Sequence, residues 1–301
     1  MSEQTKPTTP AAPAAKPMPA PAMKKEQHGQ PPRSKNLIAS LAPLICIIVG
    51  YLIWRLYLGN PSAFTIPDKD SSHWFWPNHQ GPQGALNKMY EGGIIVPLLI
   101  GLFLTIVTFV IERFLTISRA TGTGNISEFV RQVQILLNNK EIQKAIALCD
   151  KQKGSVGNVM KAGLKKYNEM INTEGLDRDQ KVLNIQKEIE EATALELPML
   201  EKNLVFLSTI ASVATLLGLL GTVMGMIRSF SKLGDDSGGG EAARELSQGI
   251  SEALYNTALG IGTSAVAIIM YNVFTTRIDA ITFGIDESGF TLTQSFASNY
   301  K

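Results

Sequence analysis

Apolar residues gather into four blocks whose ends are marked by charge. Residues 36–54 lie between Lys35 and Arg55, 92–111 between Glu91 and Glu112, 203–227 between Lys202 and Arg228, and 253–274 directly after Glu252. A helix needs about 20 apolar residues to cross a bilayer core, so each block predicts a membrane helix. The last two keep polar groups at depth: Thr215 and Thr222 in one, Asn256, Thr257, Thr263 and Ser264 in the other. Lipid offers such groups no partner, so they are expected to face neighbouring helices or a water-filled path.

Between the blocks the pattern changes period. Ile126, Phe129, Val130, Val133, Leu136 and Leu137 recur at helical steps, and Ile142, Ala145, Ile146 and Cys149 continue the stripe past Asn138 and Asn139. Gly154 and Gly157 punctuate it. From Arg178 to Glu201 one side is charged, and Val182, Ile185, Ile189, Ala192 and Leu195 form the other. Pro198 should bend or re-phase this helix where it meets the third block.

The predicted organisation is therefore a Pro/Ala-rich arm over 1–35 and membrane helices over 36–58, 92–112, 203–228 and 251–275. An outer segment occupies 59–91, a helical domain 113–202, a hairpin 229–250 and a terminal segment 276–301. The fold class is all-α: a polytopic membrane protein whose long helices extend into a cytoplasmic helical bundle. The arm is too poor in apolar side chains to offset the entropy of ordering. Its length ahead of residue 36 argues for an uncleaved anchor instead of a secretory signal, which has a short basic start.

Composition alone would also suit a soluble enzyme: 301 residues, 45% hydrophobic, 18% charged, net charge +2. Distribution decides otherwise, and it also orients the chain. With both termini inside, the outer segments carry only Lys69, Lys88, Arg228, Lys232 and Arg244, Arg55 ends the first span, and all other Lys and Arg of the 28 lie inside. Cys46 and Cys149 then lie in different compartments, which predicts no disulfide. His73 and His79 flank Trp74, Phe75 and Trp76, but nothing supplies a third metal ligand. The glycine-rich stretch 234–240 lacks the strand and the Lys-Ser/Thr of a phosphate cradle. No cofactor, metal or nucleic-acid partner is expected. No nucleophile, base and orienting group converge, so no enzyme is expected either.

Small residues stripe the polar helices: Gly218, Gly221 and Gly225 on the third, Gly249, Ala253, Thr257, Gly260, Ser264 and Ala267 on the fourth. Such stripes let backbones approach closely in lipid, which predicts an antiparallel pair. Thr222 and Thr257 lie equally far from the outer ends of their spans, about 7–8 Å deep at 1.5 Å per residue. Glu252 sits at the outer mouth. On an ideal helix Asn256 and Thr263 share its side, whereas Thr257 lies about 140° away. Glu252 and Thr257 meet one lumen only if that lumen is broad or the helix bulges locally. Each hydroxyl also has the option of bonding back to the previous turn.

The chain resembles the MotA/TolQ/ExbB proton-channel family, and within it ExbB-like members. The resemblance rests on Ala211-Ser212-Val213, Leu216-Leu217-Gly218-Leu219-Leu220-Gly221-Thr222-Val223-Met224-Gly225, Gly249-Ile250-Ser251-Glu252-Ala253-Leu254, Thr257-Ala258-Leu259-Gly260 and Tyr271-Asn272-Val273-Phe274. Ile111-Glu112-Arg113-Phe114 adds to it. It implies a homopentamer in the inner membrane, its last two spans lining a pore around a dimer of a single-span ExbD-like partner. The partner's membrane aspartate would carry the proton, and a TonB-like protein would relay the energy to outer-membrane receptors. On this chain the resemblance makes Thr222 and Thr257 pore hydroxyls and Glu252 the lumen carboxylate. Asn256, Thr263 and Thr215 are further pore or packing candidates, and Gly218, Gly221, Gly225 and Gly260 packing residues. Membrane lipids complete the expected partners. Two departures stand out: an added first helix around Cys46, and Thr215 where the family commonly has proline. A TolQ-like or gliding-motor-like stator, or a non-conducting scaffold, are the alternatives.

Overall fold

The computed structural model describes residues 34–68, 73, 75, 77, 79–233 and 239–300. The Pro/Ala-rich arm up to residue 33, Trp74, Trp76 and most of the glycine-rich stretch 234–240 lie outside the described residues. The described residues are almost wholly helical. Among the described residues four stretches are long and apolar enough to cross a membrane: Leu41–Leu58, Ile95–Asn138, Arg178–Ser231 and Leu246–Asn299.

Helix α1 (Ser34–Ile53) widens into a π-helical turn at Trp54–Leu58. It packs on α3 (Ile95–Thr121) through a point of backbone contact. A Cβ on Gly50 would lie 2.6 Å from the Gly101 nitrogen, and one on Gly101 would lie 2.7 Å from the Ile47 Cα. Close approach of this kind supplies dispersion contact where water exclusion does not act. Cys46 is buried there, its Sγ 3.6 Å from the Thr108 hydroxyl.

Between α1 and α3 the chain builds a small cap that hydropathy did not foresee. Strands β1 (Phe64–Ile66) and β2 (Gln80–Pro82) pair antiparallel, Phe64 opposite Pro82. The short α2 (Ala85–Lys88) and a 3₁₀ turn, Met89–Gly92, lead into α3. Trp54 stacks on Tyr90 with ring centroids 4.3 Å apart, and its indole N–H donates to the Tyr90 carbonyl. The Tyr90 hydroxyl donates to the Pro77 carbonyl at 2.6 Å. His79 is buried against Phe64, its Nδ1 accepting the Asp68 N–H, while His73 pairs with the Asp68 carboxylate.

Helices α4 (Ile126–Asn138), α5 (Ile142–Gln152), α6 (Gly154–Asn172) and α7 (Arg178–Glu201) form a bundle. The stripe read across Asn138 and Asn139 is two helices; the chain turns at Lys140, whose φ is 60°. Leu195, expected on the apolar side of α7, is 62% exposed while Ile185 and Ile189 are buried. At 3.6 residues per turn Leu195 falls about 80° from Ile185, at the edge of the stripe.

Helix α7 continues through Pro198 and breaks at Lys202 and Asn203, the latter with φ 67°, before α8 (Leu204–Leu233) begins. Carbonyls at this end lack helical partners. Arg113, buried and pinned by the Glu112 carboxylate, donates to the Met199 and Leu200 carbonyls at 3.4 and 3.2 Å. Asn203 adds a bond to Glu112 at 3.3 Å. The motif Ile111-Glu112-Arg113-Phe114 thus contains the clasp between α3 and the α7–α8 break.

Helix α9 runs unbroken from Gly239 to Asn299, 61 residues, or about 90 Å at 1.5 Å per residue. Its first half lies along α8. Its second half enters the bundle, where Ile278, Ile281, Ile285, Leu292 and Phe296 join the core of α4, α6 and α7. Phe296 meets Tyr167 edge to face at 4.9 Å.

Cys149 lies in that core, 2% exposed, and its thiol is pushed up to about 12, first by burial and then by Asp150, with Lys161 opposing. The thiolate is the reactive form, so maleimide at pH 8 is expected to leave Cys149 unmodified in the folded protein and to modify it fully after denaturation. Mass spectrometry of Cys149 peptides reads this directly; rapid labelling without denaturant would contradict the packing described.

Candidate functional site

Helices α8 and α9 run antiparallel with their glycines in the seam. A Cβ on Gly260 would sit 2.6 Å from the Ala214 carbonyl oxygen and 2.8 Å from the Gly218 Cα. One on Gly218 would sit 3.0 Å from the Asn256 carbonyl oxygen, one on Gly225 3.0 Å from that of Gly249, and one on Gly221 2.5 Å from the Asn256 Cβ. The backbones therefore approach until no side chain fits between them.

That approach brings Thr222 and Thr257 together, hydroxyl to hydroxyl, both half-buried. Each also lies within reach of the Gly218 carbonyl, Thr222 at 3.3 Å and Thr257 at 3.2 Å. Two hydroxyls carry two protons, yet three contacts are available, so one contact is always without a donor. The pair can switch donors without losing satisfaction, and it keeps acceptor capacity for a further group. Leu219, Val223, Met226, Ile227 and Phe230 form an apolar hollow beside Thr222.

The other predicted residues occupy three different surroundings. Asn256 is 1% exposed; its amide donates to the Gly92 carbonyl at 3.2 Å, while its Oδ1 has no hydrogen-bond partner. Thr263 is buried, whereas Thr215 is exposed and bonds back to the Ala211 carbonyl at 3.2 Å. Glu252 accepts from Arg228 at 3.0 Å, with 12% of its side chain exposed against 51% for the arginine. Thr222 and Thr257 are thus brought together, while Glu252 and Asn256 face the turn that precedes α3. The 140° between Glu252 and Thr257 on one helix is used to meet two different neighbours.

Several residues were not foreseen. Arg228 pairs with Glu252, and Gln248 donates to the Glu91 carboxylate at 2.8 Å. Gln248, Glu252 and Asn256 follow one another at four-residue steps, a helical signal present in the sequence. Glu91 carries no comparable signal, because it reaches α9 only through the fold. Burial first, and then the charge of Glu252, hold the Glu91 carboxyl above the usual carboxylate range; Lys88 and Arg244 oppose the shift. Further along the seam Ser208, Ser212, Thr215, Ser264 and Tyr271 line a second hollow. Among the described residues no three His, Cys, Asp or Glu side chains gather as metal ligands.

Comparison with known proteins places this site in context. Residues 151–287 match the model of the MotA/TolQ/ExbB proton channel family. A putative biopolymer transport protein, ExbB-like 3 of Synechocystis sp., is 41% identical over 86 residues, 29% of this chain and 41% of its own. The Tol-Pal system protein TolQ of Pseudomonas aeruginosa is 32% identical over 126 residues, 42% of this chain and 54% of its own. The biopolymer transport protein ExbB of Helicobacter pylori is 38% identical over 95 residues, 32% of this chain and 63% of its own. The chain spans less than two thirds of the length of each of these relatives.

Proposed function

We infer the function from one premise: the chain belongs to the MotA/TolQ/ExbB proton channel family. On that premise it is a multi-pass membrane protein acting as the stator subunit of a motor driven by the proton-motive force. The reading is ExbB-like. Copies assemble as a homopentamer in the inner membrane, α8 and α9 of each copy facing a central pore that holds a dimer of a single-span, ExbD-like partner. A membrane aspartate of the partner carries the proton, and a TonB-like protein passes the work to outer-membrane receptors.

One observation supports this most: the shared-donor hydroxyl pair Thr222–Thr257, set in the glycine-lined seam between α8 and α9. A protonated carboxyl needs both an acceptor and a donor, and a pair that exchanges donors provides either. An ionised carboxyl is held at a polar wall or at water, whereas a neutral one can move past an apolar face. The charge gradient of the chain orients α9 with Glu252 at the outer side. One proton crossing the membrane supplies about 2.3 kcal/mol per 100 mV, so forceful work takes several.

The likeness to TolQ of Pseudomonas aeruginosa, over 126 residues, supports the Tol-type stator as the second reading. Purification of the chain from its native membrane with its neighbours, followed by intact-complex mass measurement, separates the readings. Five copies with a single-span protein bearing one membrane aspartate are expected, and the effector that co-purifies distinguishes the TonB from the Tol type. A complex lacking any such partner would sink the motor and favour a scaffold.

A further inference from the structure

The Glu91–Gly93 turn lies against α9 at three successive levels. Glu91 accepts from Gln248 at 2.8 Å, the Gly92 carbonyl accepts from Asn256 at 3.2 Å, and a Cβ on Gly93 would sit 3.4 Å from Glu252 Oε1 and 3.2 Å from Arg228 Nη1. Gly93 has φ 65°, so glycine meets both the backbone and the space requirement there. The turn is held from behind by the cap, through Trp54 stacked on Tyr90 and the Tyr90 hydroxyl on Pro77. The added first helix therefore fixes the position of Glu91.

Two carboxylates thus share one end of the α8–α9 seam, with Arg228, Arg244 and Lys88 as the neighbouring cations. A third polar atom lies deeper. Asn256 Oδ1 is fully buried, has no hydrogen-bond partner, and would lie 2.8 Å from a Cβ on Gly92. Buried acceptors are ordinarily satisfied, so this one marks a place for a donor such as a water or a protonated group. Asn256 is one residue from Thr257, and its Cβ lies 2.5 Å from where Gly221 would carry one. Glu91, Glu252 and Asn256 are thus gathered about the Glu91–Gly93 turn, while Thr257 on the adjoining face of α9 meets Thr222.

We propose that Glu91 is the proton-loading residue of this chain: it takes a proton from water at that face and passes it, by way of water, to the Glu252 carboxylate, one helical turn from Asn256 on α9. Only O–H bonds are exchanged; Glu91 returns to the carboxylate as the next group is protonated. The proposal rests on the proton-motor reading. Burial and the Glu252 charge raise the proton affinity of Glu91 above that of a solvated carboxylate.

The test uses the full complex of this chain with its single-span partner in liposomes, with proton influx followed by an internal pH dye across external pH. Glu91→Gln keeps an oxygen that accepts from Gln248, so a merely structural role leaves influx unchanged. A relay instead predicts influx lowered about tenfold at external pH 8, less than the roughly hundredfold or more of a group acting on the reacting atoms, and little lowered at pH 5.5, where water loads Glu252 directly. Glu91→Asp should restore most of the loss at pH 8. Intact mass of each variant complex controls for assembly. Glu91→Gln matching the wild-type pH profile, or lowering influx by the same factor at both pH values, overturns the proposal. If the wild-type complex conducts while Thr222→Val is silent, that failure leaves the motor reading standing; a wild-type complex that conducts no protons overturns both.

Discussion

Thr222→Val and Thr257→Val should each reduce energised uptake to the level seen without a proton-motive force while the complex still assembles. Valine matches threonine in shape and removes only the hydroxyl. The remaining threonine keeps the Gly218 carbonyl as an acceptor, at 3.3 Å for Thr222 or 3.2 Å for Thr257, so neither variant strands a buried donor. What is lost is the second oxygen, and with it the ability to donate and accept at one level. A hydrogen bond between neutral groups contributes about 0.5–1.5 kcal/mol, which corresponds to roughly 2–10-fold per site, and the proposed ring would repeat the site in every copy. Uptake of a labelled substrate, with assembly checked by intact mass, measures it. Wild-type uptake in both variants would remove the hydroxyl pair from the mechanism.

The second large effect concerns packing. Gly260→Ala places a methyl 2.6 Å from the Ala214 carbonyl oxygen and 2.8 Å from the Gly218 Cα, whereas a Cβ on Gly262 meets nothing within 4 Å. Backbone cannot rotate aside as a side-chain tip can. Overpacking costs about 1–3 kcal/mol where neighbours can adjust, and here α8 and α9 must separate, which also parts Thr222 from Thr257. Gly260→Ala should therefore lower the melting temperature of the detergent-solubilised protein by several degrees, and Gly262→Ala should leave it unchanged. Equal melting of the two variants would mean that the seam is not closed as described.

Much of the site was legible because membranes make sequence patterns severe. Lipid forces charge out of a span, so the four blocks stand out, and polar residues left inside them, Thr222, Asn256 and Thr257, point to the α8–α9 pair. Equal depth from the span ends even paired Thr222 with Thr257. The cap was not legible. Its strands are three residues each, too short for any period to register, and its core of Trp54, Phe64 and Tyr90 is assembled from separate segments. Arg113 was visible as part of a motif, but its task depends on where α7 breaks.

Sequence by itself determined the number of apolar spans, the helical class and the meeting of α8 with α9, because hydropathy and small-residue spacing act along one helix at a time. Tertiary structure alone decided what each polar group meets. Glu252 and Asn256 turn to the Glu91–Gly93 turn and Thr257 turns to Thr222, since residues five apart on a helix point to different neighbours. Likewise the terminal segment is core and not tail, because α9 carries its apolar face past Phe274 into a bundle whose other walls, α4, α6 and α7, come from a distant part of the chain.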